Sequence, residues 1–421
     1  MNRILIAPGA HVTTVPGERF KRCKIAVHLI VPSKKEEATA LALLPHLLER
    51  RCKEIPNAMQ LSRKLFSLYD AELSTDSYVA GENRIVTVAM GGLKSKYALA
   101  GEDLEAEYTH LLSQILFAPQ LNGEAFEQED LGIEKQKHED YLKSERNDKR
   151  TYVLRQARRK LFGTSAMGIE SSGYLEDIAS IAPQEMYKVW QKLLQQATVE
   201  VIAVGTDGAA AGRILAEELA KIERNLPEMK TPRAPLAKER QTFAEPMETE
   251  QGKLCLLYTS GQLPDVRTSV VMRMASALLG GLPTSRLFMH VREEQSLCYY
   301  CAATYSPFTG VLSIDSGVEH EQCQRAAKAI RHELDVMQKE PVSEEEMLNA
   351  KKAMKSAFIS AADTPDFLSS WVFNERLRGT DLSLEEFLDL IESVTAEEVQ
   401  LALSNFTEAV EYAITRKEAA E

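Results

Sequence analysis

His46 and Glu49 stand three residues apart in an apolar stretch with Leu41, Leu43, Leu44, Leu47 and Leu48. At 3.6 residues per turn, positions i, i+3 and i+4 share one helix face. The spacing H-x-x-E-H uses that face to hold zinc with two imidazoles while the glutamate between them acts as general base. In this chain the i+4 position is Arg50. A guanidinium does not deprotonate and cannot ligate a metal. At about 4 Å from a dication and an effective dielectric of about 20, it would repel the ion by about 8 kcal/mol. A lone H-x-x-E is common by chance, and by itself reads as polar residues on a helix surface. Pro45, directly before His46, has no N–H to donate, so the helix either restarts there or is kinked.

The elements that must position these residues occur twice. Residues 24–30 (Lys-Ile-Ala-Val-His-Leu-Ile) read as a strand, and residues 253–258 (Lys-Leu-Cys-Leu-Leu-Tyr) as its counterpart. Helices follow, beginning near Glu37 and Val266, then the similar runs Ser62-Arg63-Lys64-Leu65-Phe66 and Ser285-Arg286-Leu287-Phe288. Hairpin-like stretches at residues 85–89 and 310–314 come next. Each half closes with helix, tight turn, helix and strand, at residues 174–205 and 387–414. A repeat of roughly 210 residues exceeds any solenoid unit and predicts a duplicated α+β domain. The spacing predicts domains over residues 1–223 and 252–421. Residues 224–251, with four prolines and no apolar periodicity, read as a surface linker.

The chain has 421 residues, too many for one ordinary core. A net charge of -12 argues against nucleic acid, and weakly against anionic membranes. No run approaches the ~20 apolar residues of a membrane span, and no signal-like apolar segment opens the chain, so the expected compartment is the cytoplasm. Six cysteines lack framework spacing. Cys298-Tyr299-Tyr300-Cys301 matches C-x-x-C, but without a second pair it reads as ordinary buried thiols in a strand. His290 reads as a helix residue, and the Ser306-Pro307 and Thr309-Gly310 pairs as turn chemistry.

Residues 285–299, Ser-Arg-Leu-Phe-Met-His-Val-Arg-Glu-Glu-Gln-Ser-Leu-Cys-Tyr, resemble the S-R-L-F-x-x-V-R-E-x-x-x-L-x-Y segment of the pitrilysin (insulinase) family of zinc peptidases. The resemblance extends over nearly the whole chain and implies two pitrilysin-like α/β-sandwich domains in tandem. It makes Arg292 and Tyr299 the residues that hold the substrate carbonyl, a role suited to a guanidinium and a phenol donor. It also places the third zinc ligand on a helix within residues 121–141, seven residues after an acidic one. With Glu134 as that earlier residue, the ligand position falls on Tyr141. Glu139 and Asp140 lie one or two residues off, about 100–200° around the helix.

Two of three ligand positions are therefore changed, and a catalytic zinc needs three protein ligands. The resemblance implies a chain without zinc that is not catalytic alone. It would be paired with a homologous H-x-x-E-H subunit and act on a peptide or protein substrate. Within the family the likeness is to a bacterial group described as accompanying the 5-aminopentanol modification of elongation factor P. Two further readings stand beside this one. The chain could be a non-proteolytic binding or scaffold protein in that modification. It could also be an active metallopeptidase with an unusual ligand set that uses Glu139 or Asp140.

Overall fold

Side-chain alternation along one long strand organises the first half of the structure, a computed structural model that describes residues 1–227, 234–235 and 239–416. In β3 (Arg22–Pro32) Ile25, Val27 and Leu29 join one apolar cluster, while Lys24 and His28 serve the opposite face. The sheet holds β1 (Asn2–Ala7), β2 (Ala10–Val15), β4 (Glu72–Ala80), β5 (Asn83–Leu93) and β6 (Thr198–Val204) in the order β1-β2-β6-β3-β5-β4. The β2–β6 pair is parallel, and the other pairs are antiparallel.

Four helices bury their apolar stripes in the Ile25 cluster: α1 (Lys35–Leu48), α3 (Leu104–Phe117), α7 (Pro183–Gln196) and α8 (Ala209–Leu219). Shorter or more polar helices complete the unit, namely α2 (Ala58–Ser67), α4 (Gln128–Glu145) and α6 (Leu175–Ile178). The other face is covered by α12 (Pro365–Leu377). Its Phe373 ring stacks on His28 at 3.7 Å, and its Asp366 pairs with Lys24. Helix α1 runs through Pro45 as one helix, without the restart that was one of the two expectations.

The second sheet repeats the first except for β1, which has no counterpart. Its members are β7 (Gln241–Met247), β8 (Gly252–Thr259), β9 (Tyr300–Ser306), β10 (Val311–Val318) and β11 (Thr407–Arg416), in the order β7-β11-β8-β10-β9. The run β11-β8-β10-β9 matches β6-β3-β5-β4, and β7 lies parallel to β11 as β2 does to β6. One face carries α9 (Val266–Ser276), α10 (Cys323–Lys339) and α14 (Ala396–Ser404), near α11 (Glu344–Ala361) and α13 (Leu384–Ser393). The other carries α5 (Lys149–Phe162), whose Val153 and Ala157 pack with Cys255, Leu257 and Val410. Ser383 and Thr395 start α13 and α14 as capping boxes with Glu386 and Glu398. This is an α+β chain of two homologous sheet domains, as the repeat predicts.

Two features differ from the expected layout. The compact units are not contiguous in sequence: one takes Ala361–Gly379, and the other takes Glu145–Gly168. Each domain thus includes a helix from the opposite repeat. Second, residues 224–251 are not all linker, because β7 lies within them. It is an edge strand, the position where its Pro246 is tolerated. Linker residues 228–233 and 236–238 lie outside the described residues.

Candidate functional site

Helix α1 delivers His46 in its last turn and ends at Leu48, with Glu49 as its C-cap. Its Glu36 and Glu37 sit in the first turn, where carboxylates favour a helix dipole. His46 Nδ1 lies 3.8 Å from Glu49 Oε1, and Thr75 Oγ1 of β4 donates to Glu49 Oε2 at 2.6 Å. The Glu49 carboxylate raises the pKa of His46 against the effect of burial, with Glu134 and Asp76 adding to the rise. Burial pushes Glu49 up, but its bonds to His46 and Thr75 outweigh that and hold it below the usual carboxylate range.

Arg50 lies past the helix end, and its side chain turns toward α4. Its Nε donates to Asp130 Oδ1 at 2.8 Å, and its Nη1 donates to Glu134 Oε1 at 2.8 Å. Arg51 pairs with the second oxygen of Asp130, and Lys137 Nζ donates to Glu134 at 2.9 Å. Asp130 and Glu134 are both buried. Burial raises the pKa of Asp130, but Arg51 and Arg50 together hold it below the usual range. The electrostatic expectation therefore needs correction. Arg50 is not a bare cation facing a metal position, because two carboxylates neutralise it. It ties the end of α1 to α4 and consumes the acidic residue that the site would otherwise present.

On α4, Glu134, His138 and Tyr141 follow the i, i+4, i+7 spacing of one face. Together with His46, Glu49, Asp76, Lys137, Ser171 and Ser172 they line a cavity of about 450 Å³. His138 is buried and its Nε2 donates to the Ser172 carbonyl oxygen at 2.7 Å. The sequence reading passed over it, although the spacing from Glu134 was a usable signal. Tyr141 is half exposed and its ring lies 6.1 Å from that of His138. Glu139 pairs with Lys143, Asp140 accepts from Gln136, and neither lines the cavity. The positions that the resemblance assigned to ligands carry an imidazole, a guanidinium and a phenol, and the side chain that meets Arg50 is Glu134. That donor set does not fit a catalytic zinc. Among the described residues, no group of three His, Cys, Asp or Glu side chains could hold a metal ion.

Arg292 and Tyr299 belong to the second domain. Arg292 rides on a π-helical segment, Leu287–Glu294, with its guanidinium 4.6 Å from the Phe288 ring centre and 3.6 Å from Glu293. Tyr299 is half exposed and its hydroxyl donates to Glu319. It precedes β9, so it is not itself a strand residue. His290 is the helical residue expected, with Nδ1 2.8 Å from Glu333. Cys298 also precedes the strand and is only half-buried, unlike the ordinary buried thiol expected there. No described helix is long and apolar enough to cross a membrane.

The duplicated sheets and the H-x-x-E-R sequence at residues 46–50 make the chain similar to metallopeptidases of the pitrilysin type. Residues 180–354 match the family described as "Peptidase M16 inactive domain". The chain is 25% identical to "Probable inactive metalloprotease YmfF" of Bacillus subtilis (strain 168), over 93% of this chain and 91% of that one. It is 32% identical to the "Uncharacterized zinc protease YmxG" of the same organism, over 38% of this chain and 40% of that one. In fold it matches a conserved protein from Enterococcus faecalis V583 with a TM-score of 0.89 at 23% identity, covering 100% of this chain and 99% of that one. A peptidase M16 inactive domain from Pseudomonas fluorescens matches with a TM-score of 0.80 at 16% identity, with 100% and 99% covered.

Proposed function

We propose that this chain is the non-catalytic, zinc-free subunit of a heterodimeric pitrilysin-type peptidase. Its partner is a homologous subunit with an intact H-x-x-E-H, and the partner alone holds the zinc. Arg292 and Tyr299 act at that zinc as donors to the substrate carbonyl and the oxyanion that develops from it. One observation carries the reading: Arg50 is held as a strut by two buried carboxylates, whereas Arg292 and Tyr299 keep their donor groups at the surface beside the exposed Glu293 and Glu319. The names of the Bacillus subtilis relatives support it, since one organism carries both an inactive relative and a zinc-protease relative. The substrate is an extended peptide added as a strand at a sheet edge. In the first domain β4 is such an edge, and its Asp76 and Ser77 line the cavity.

Purification of the tagged chain from its native cells tests the proposal. An H-x-x-E-H homologue should co-elute with about one zinc per pair, the metal residing on the homologue. A chain that stays monomeric with no homologue bound overturns it. If the pair forms but Arg292→Ala and Tyr299→Phe leave cleavage unchanged, the chain has a binding or scaffold role instead, such as one in the elongation factor P modification.

A further inference from the structure

A cavity of about 770 Å³ lies in the first domain, beyond the carboxyl ends of β2 and β6. These two strands run parallel, so the loops that leave them open on one side. The carboxyl end of parallel strands is where open α/β sheets bind ligands. Gly17 lines the cavity from the loop after β2, and Gly205 and Thr206 line it from the loop after β6. The segment that follows β5 adds Lys94 and Lys96.

Lys94 is only 5% exposed. Its ammonium passes between the two loops, and glycines make that passage possible. A Cβ on Gly205, where φ is 75°, would fall 2.9 Å from Lys94 Cε, and one on Gly17 would fall 2.8 Å from Gly205 Cα. Lys94 Nζ donates to the Gly17 carbonyl at 2.5 Å. A lysine this buried is ordinarily paired with an anion. Among the described residues no carboxylate pairs with Lys94, whose one hydrogen bond through Nζ is to that carbonyl. The acidic residues of the cavity are used elsewhere or lie in solvent. Glu105 accepts from the Ser95 N–H at 3.0 Å, Asp207 accepts from the Ala209 N–H at 2.9 Å, and Glu18 is exposed. The tie to Gly17 does not itself call for a cation. In the second repeat His320, just after β10, makes the corresponding tie, with Nε2 3.0 Å from the Thr249 carbonyl oxygen in the turn between β7 and β8.

We propose that this cavity binds a phosphate group, with Lys94 as its buried counter-charge and with Lys96 and the Thr206 hydroxyl as further donors. The site does not depend on a partner subunit. Lys96 is exposed, and its ammonium carries three donors. Thr206 Oγ1 accepts from the Gly208 N–H at 3.4 Å, which leaves its own proton to donate. The donors come from two separate segments, and a phosphate has enough oxygens to accept from each of them, whereas a carboxylate has two. Hydrogen bonds between an ammonium and an ionised oxygen are also the stronger kind, most of all where water is scarce.

Calorimetric titration of the full chain with inorganic phosphate and with AMP, at fixed ionic strength, tests the proposal. Phosphate should bind saturably at one site per chain and shift the amide resonances of Gly17, Gly205 and Thr206. Lys94→Met, which keeps the stem and removes the charge, should raise Kd about tenfold or more. Lys96→Glu changes an exposed side chain, so it should weaken binding while leaving the denaturation midpoint in place. Tighter binding of AMP than of phosphate identifies a phosphorylated metabolite as the source of the group, and equal or weaker binding identifies free phosphate. No saturable binding of either probe overturns the proposal, as does binding that both variants leave unchanged.

Discussion

Arg50 joins two elements through ion pairs. Two buried carboxylates on α4, Asp130 and Glu134, accept its hydrogen bonds. Removing the guanidinium leaves them with fewer donors in a poorly hydrated place, a loss of about 1–3 kcal/mol. Chemical denaturation of Arg50→Ala should register that destabilisation, and a variant as stable as the wild type would show the strut to be idle. The neighbouring His46–Glu49 pair makes a separate prediction. The folded His46 titrates above its ordinary value of 6.5, chiefly through Glu49. Its contribution to stability is therefore complete below pH 6.5 and is lost as pH rises through the higher folded value. In an NMR titration, Glu49→Gln should bring the His46 midpoint down, and an unmoved midpoint would remove the pair from the account.

Among the elements, α12 illustrates how a sheet face is covered by a helix distant in the chain. His28 lies under it, fully buried, with Nδ1 2.9 Å from Thr87 Oγ1 and its ring against Phe373. Burial, aided by the Lys24 charge, drives its pKa down to about 3. Below about pH 6.5 the unfolded chain takes up a proton on this residue that the folded chain refuses, so stability falls with falling pH. The slope is about 1.4 kcal/mol per pH unit until the folded value is reached. Denaturation at pH 7 and pH 5 should therefore show a smaller acid loss in His28→Phe than in the wild type, by about 2 kcal/mol. Equal losses in the two proteins would rule out His28 as a source of acid sensitivity.

For the whole molecule the prediction concerns a reconstituted pair with an H-x-x-E-H homologue. Peptide cleavage by the pair should fall about a hundredfold with Arg292→Ala, the usual scale for losing one oxyanion donor. Tyr299→Phe should also lower kcat, and neither variant should impair assembly measured by size-exclusion chromatography. Unchanged kcat in both would separate these residues from the reaction.

The sequence by itself determined the α+β duplication and the degenerate motif, because strand alternation and helix periodicity are local and reappear in both halves. It determined that His46 and Glu49 lie near each other, since one helical turn separates them. Tertiary structure alone decided what Arg50 does, because its partners lie some 80 residues away and no periodicity marks them. It also decided that α5 and α12 each pack on the sheet of the other repeat, that β7 of the apparent linker pairs with β11, and that His138 reaches Ser172. Each of these depends on which distant surfaces meet. His46 lines the cavity together with Glu49 and Glu134. The fold has turned the rest of that site into an ion-paired joint between α1 and α4.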